Sequence, residues 1–109
     1  MMKNARNAPR IRLGCRLFFS SENDHEGEAK IIDLSKSGCA AESETTVEVG
    51  MILELSLFLP DYEWRLHIER SIVRWVHGQT FGLEFENIRP VHRERLRRLV
   101  ATFKASKGL

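Results

Sequence analysis

Five residues among the first 38 of this 109-residue chain have side chains and spacings suited to chemistry. Arg6 and Arg10 stand four apart in "RNAPR". Two guanidiniums held close can clamp a phosphate or the O6/N7 edge of a guanine, because the planar fork of arginine matches paired acceptors. On a helix such a pair would share a face. Pro9 works against that, since it biases Ala8 away from the helical region. Residues 1–10 therefore read as a basic N-terminal arm, extended or turned, and mobile until something orders it. A solvated basic tail has the same composition. Asp33, Ser35 and Gly38 follow in "DLSKSG". A carboxylate offers two acceptor oxygens for the N1–H and exocyclic amine of a guanine, and a hydroxyl both donates and accepts. A glycine permits close approach of a base or phosphate, or a positive φ. The same three residues also suit a local turn in which Asp33 and Ser35 bond neighbouring amides.

The elements that must position these residues are short strands. "IRLGCRLFF" (11–19) alternates apolar and other residues with a period of two. "SSENDHEGE" (20–28) reads as a polar turn, and "AKIIDLS" (29–35) as the next strand, with "CAAES" (39–43) as its return partner. "MILELSLFL" (51–59) lies between Gly50 and Pro60-Asp61. "EWRLHIERSIVRWV" (63–76) and "TFGLEFENI" (80–88) flank a tight turn at "HGQ". Trp75 is expected in the core, as tryptophan is highly buried on average, while Trp64 near a turn is expected to be partly exposed. After Pro90, which suits a first helical turn, the period changes. Leu96, Leu99, Val100 and Phe103 form an i, i+3, i+4, i+7 stripe on a helix of about 90–106, with Arg93, Arg95, Arg97, Arg98 and Lys104 on its polar side. The expectation is one mainly β domain over 11–109, a small antiparallel barrel or sandwich closed by this helix.

Charge is unevenly spread. The net charge of +2 hides a basic start (Lys3, Arg6, Arg10, Arg12, Arg16, no acid) and a basic end around an acidic middle. An anionic ligand would bind near an end. Hydrophobic residues are 42% and charged residues 29%, ordinary for a globular protein. No apolar run nears the roughly 18 residues of a membrane span, and no signal peptide is readable, so a cytoplasmic protein with reduced Cys15 and Cys39 and no membrane insertion is expected. The four histidines and two cysteines lack metal-ligand spacing, and Asp24-His25-Glu26 with Glu28 reads as a solvated turn; no metal and no cofactor is expected. No nucleophile elbow or Gly-rich phosphate loop occurs, so no catalytic residue is assigned and no enzyme is expected. The basic arm has no aromatic residue interleaved for stacking, which argues against DNA.

Together the two motifs resemble a known signature. "RNAPR" followed after a 22-residue gap by "DLSKSG" is similar to the RxxxR and [D/N]xSxxG motifs of PilZ domains. "VRWVHGQTFGLEF" (73–85) resembles the strand hairpin of the same family. The resemblance implies a six-stranded antiparallel β-barrel with a C-terminal helix, and a bacterial receptor for the second messenger cyclic di-GMP. It implies that Arg6 and Arg10 contact guanine and phosphate, and that Asp33, Ser35 and Gly38 hold the ligand on the barrel surface. Cys39, Ala40 and Ala41 are smaller than the apolar residues common after the second motif, which suggests looser packing of that strand. A stand-alone receptor that relays its signal to an unidentified effector protein is expected. The alternative is a non-binding PilZ-type adaptor acting through the basic C-terminal helix. Arg12 and Arg16 fall on the strand after the arm and serve as comparison sites for general charge.

Overall fold

The computed structural model describes residues 11–12, 14–60 and 64–107, with side chains through Thr102. Among the described residues seven strands and one helix follow in order: β1 (Ile11–Arg12), β2 (Arg16–Ser20), β3 (Glu26–Leu34), β4 (Gly38–Glu42), β5 (Ile52–Leu57), β6 (Leu66–His77), β7 (Thr80–Asn87) and α1 (Pro90–Lys107). All pairings are antiparallel. The sheet runs β3-β2-β5-β6-β7-β4, and the β3–β4 pairing closes it into a six-strand barrel. Closure leaves the sheet no open edge along these strands.

β1 and β2 are one interrupted strand on the same side of β3. From Arg12↔Asp33 to Arg16↔Lys30 the first strand advances four residues while β3 advances three. The single run 11–19 expected from alternation is thus broken by one extra residue. The turn expected over 20–28 is also shorter, because β3 already begins at Glu26, with Gly27 paired to Phe19.

The core follows the period-two pattern. Leu17 and Phe19 of β2, Ile31 and Leu34 of β3, Leu53, Leu55 and Leu57 of β5, Leu66, Ile68 and Val73 of β6, and Phe81 and Leu83 of β7 all point inward and are buried. Phe19 and Phe81 meet edge to face across it. The small residues of β4 do not loosen the barrel. Gly38, Cys39, Ala40 and Ala41 are all buried between β3 and β7. No disulfide joins Cys15 to Cys39.

α1 packs against β1 and β6 through Leu96, Leu99 and Val100, the stripe its spacing indicates. Phe103 lies outside the described side chains. Arg95, expected on the polar face, is 6% exposed, with its guanidinium 5.9 Å from the ring centre of Trp64. Trp64 itself is exposed, as expected. The aliphatic stem of arginine can be buried while its head meets an aromatic face, which is how a charged residue enters this seam.

Candidate functional site

The "DLSKSG" segment forms the β3–β4 connection. Leu34 pairs with Cys39, and Lys36 and Ser37 make the tip. The Ser35 amide donates to the Gly38 carbonyl at 2.8 Å. The Ser35 hydroxyl is buried and accepts from the Ser37 and Gly38 amides, both at 3.2 Å. It also lies 3.2 Å from the Gly38 carbonyl, to which it donates. The loop is tied to the barrel by the Phe85 amide, which donates to the Ser37 carbonyl at 2.9 Å. Of the two readings of Ser35, this geometry is the turn: its hydroxyl holds the loop in shape.

Gly38 has an equally local reason. A Cβ there would run into the Leu83 carbonyl oxygen of β7, so the strand pairing itself requires glycine. Its φ is not positive.

Asp33 is different. It is half-buried on the outer face of the barrel. The register places it in a row that crosses five strands. Arg12 of β1 pairs with Asp33, Asp33 with Ala40 of β4, Ala40 with Gly82 of β7, and Gly82 with Trp75 of β6. Residues directly opposite on antiparallel strands share a face. The neighbouring row, Ile11, Leu34, Cys39, Leu83 and Val73, is buried in the core, which fixes the first row as outward.

Two bulges make this row. In β3, Ile32 is extra between Ile31↔Ala41 and Asp33↔Ala40. In β6, Arg74 is extra between Val73↔Leu83 and Trp75↔Gly82. An extra residue reverses the facing of the residues beyond it on the strand. Trp75, expected in the core, is therefore 44% exposed and stands on the outside. Its indole lies across Gly82, where an added Cβ would collide with the ring.

The result is a shallow floor. Asp33 stands at one end and Trp75 at the other, their backbones three strand spacings, roughly 14 Å, apart along the sheet. The indole covers Gly82, so the part of the row left between it and Asp33 is Ala40, nothing taller than a methyl group. A planar base can lie on such a floor against an indole while a carboxylate takes its N–H edge. Arg12 stands beyond Asp33, so it is a neighbour of the candidate site and not a remote comparison. Arg16 is engaged elsewhere, 3.4 Å from Glu28 and over the rings of Phe18 and Phe58. Arg6 and Arg10 lie outside the described residues, as does the whole 1–10 arm.

Other clusters compete poorly. A cavity of about 620 Å³ opens beside the floor, where Arg16 and Lys30 face Glu28, Glu42 and Glu44. Excess carboxylate repels a phosphate, so the floor suits an anionic ligand better. At the helix base, His67 bonds Glu54, and burial followed by the Arg95 charge holds His92 below the usual histidine range. The His25 ring donates to the Thr46 carbonyl at 2.7 Å, and Asp24 takes a left-handed turn conformation. Among the described residues no His, Cys, Asp and Glu group has the arrangement of a metal site. No helix among them is long and apolar enough to cross a membrane.

The closed antiparallel barrel with its C-terminal helix defines a small β-barrel domain. The model of the PilZ domain family matches residues 4–102, and the chain belongs to that family. PilZ domains are receptor or adaptor domains. Solved structures of similar fold include the Bacillus subtilis inhibitor of motility (MotI/DgrA), with a TM-score of 0.78 and 20% identity over 94% of this chain and 52% of that one. YcgR from Escherichia coli in complex with c-di-GMP matches with a TM-score of 0.76 and 15% identity over 94% and 47%. The PilZ domain of YcgR with c-di-GMP matches over 94% and 93%, at 0.71 and 15%. This chain spans about half the length of the first two proteins. No curated protein matches it in sequence.

Sequence reasoning singles out Asp33 and not the other residues of its row. Trp75 and Gly82 lie within the hairpin that resembles the family, but only the bulge at Arg74 shows which way the indole faces.

Proposed function

We propose that this protein is a receptor for cyclic di-GMP that relays the presence of the ligand to an effector protein. The observation that carries the reading is the outward row Asp33–Ala40–Gly82–Trp75, a flat floor bounded by a carboxylate and an indole. Asp33 takes the N1–H and exocyclic amine of one guanine. Ala40 leaves room for the ring beside Asp33, and the indole of Trp75, lying over Gly82, walls it by stacking. Ser35 and Gly38 act by holding the β3–β4 loop that carries Asp33. Arg6 and Arg10, which precede β1 in the chain, supply the guanidiniums for phosphate and the second guanine. β1 pairs beside Asp33, which brings the start of the barrel to the edge of the floor. Membership in a family with c-di-GMP-bound neighbours of the same fold supports the same ligand.

Isothermal titration with cyclic di-GMP tests this, run beside Arg10→Ala and with GTP as competitor. Micromolar or tighter binding is expected. Arg10→Ala should weaken it roughly five- to 150-fold, the value of one bidentate arginine. Absence of heat with the folded wild-type protein would refute the receptor reading.

The adaptor alternative draws on one observation: Arg93, Arg97 and Arg98 are exposed on α1. Arg97 is held by Glu94 at 2.6 Å, which leaves a smaller basic face than the sequence suggests. An adaptor would dock an acidic partner there with no response to the nucleotide.

A further inference from the structure

We infer that Arg12 is a third ligand-reading arginine, which takes the O6/N7 edge of the guanine whose N1–H edge Asp33 holds. The inference rests on the receptor reading above and deepens it.

Arg12 and Asp33 are direct cross-strand partners, and both point outward, since their chain neighbours Ile11 and Leu34 pair inward and are buried. Such partners have Cβ atoms roughly 4.5–5.5 Å apart. In guanine, O6 is bonded to the carbon next to N1, so a donor beside the carboxylate that holds N1–H meets O6, with N7 next to it. A guanidinium matches those two acceptors with two parallel N–H bonds.

The surroundings of Arg12 point the same way. The other strand arginines are engaged. Arg16 pairs with Glu28, Arg70 with Glu86 at 2.9 Å, and Arg74 with Glu84. Among the described residues, Arg12 alone of these has neither an ion pair nor an aromatic ring against it, and it is exposed. Its backbone is nevertheless fixed by the β1–β3 pairing, and α1 packs against the same strand. A donor whose backbone is anchored and whose head is uncommitted is suited to reading a ligand edge.

The test is a cycle between protein and ligand. Cyclic di-GMP and its 7-deaza analogue, which lacks N7, are each titrated into wild type, Arg12→Ala, Arg12→Lys and Arg16→Ala. Wild-type binding of cyclic di-GMP tests the receptor reading by itself. Its absence removes both proposals, whereas binding with a wrong Arg12 pattern removes only this one. The expected pattern is a roughly five- to 150-fold loss in Arg12→Ala, a substantial loss in Arg12→Lys, and no more than about twofold in Arg16→Ala. The Arg12→Ala loss should shrink with the 7-deaza analogue. Full affinity in Arg12→Lys, or equal losses with both ligands, would show that Arg12 supplies only charge and would overturn the assignment. A circular-dichroism melt of each variant checks that the barrel is intact.

Discussion

At the scale of single residues, the motif around Asp33 divides its labour. Asp33 faces outward, while Ser35 and Gly38 are buried and serve the loop and the β4–β7 pairing. The division predicts different failures. Ser35→Ala strips the acceptor from two amides, one of them in a buried segment, and should lower stability by about 1–3 kcal/mol. Asp33→Ala should abolish nucleotide binding. Chemical denaturation of Ser35→Ala, set beside titrations of both variants, checks this. A Ser35→Ala protein of wild-type stability but no affinity would return the hydroxyl to the ligand.

At the scale of elements, the strands obey alternation except where a bulge intervenes, and the bulges are where the candidate site is made. The extra Arg74 turns Trp75 from the barrel interior to its outer wall, and Gly82 leaves room for the indole to lie flat. The small residues of β4, a weakness in packing when judged by sequence, supply the low floor at Ala40. Gly82→Ala should push the indole off the floor with little effect on the barrel, because a side chain can swing where a backbone cannot. A loss of roughly fivefold or more in cyclic di-GMP affinity is expected, since base–aromatic stacking is worth about 1–3 kcal/mol. Titration read together with tryptophan emission measures it. Moved emission with unchanged affinity would deny Trp75 a stacking role.

For the whole molecule, α1 is both a lid on the barrel and a neighbour of the site. It packs on β1, the strand that pairs beside Asp33, and on β6, the strand that carries Trp75. Leu96 is fully buried in this seam. Leu96→Ala should cost about 2–5 kcal/mol, as deletion of a buried leucine side chain does. If the protein binds cyclic di-GMP only when folded, ligand at about 100 times its Kd should return roughly 2.7 kcal/mol. Denaturant melts with and without ligand test both figures. A variant of wild-type stability would mean that the helix does not close the core.

Much of this protein is legible in its sequence because the relevant signals are local. Period-two runs mark the strands, the i, i+3, i+4 stripe marks the helix with its buried Leu96, Leu99 and Val100, and the spacing of Asp33, Ser35 and Gly38 marks the β3–β4 turn. Four features are decided only in three dimensions. Trp75 faces outward, Arg95 is buried against Trp64, Gly38 is required by the carbonyl of Leu83, and Arg12 stands beside Asp33. Each depends on a partner far along the chain or on a single inserted residue. A periodic pattern carries the facing of a strand only as far as the next bulge, and register between strands is a property of the closed barrel.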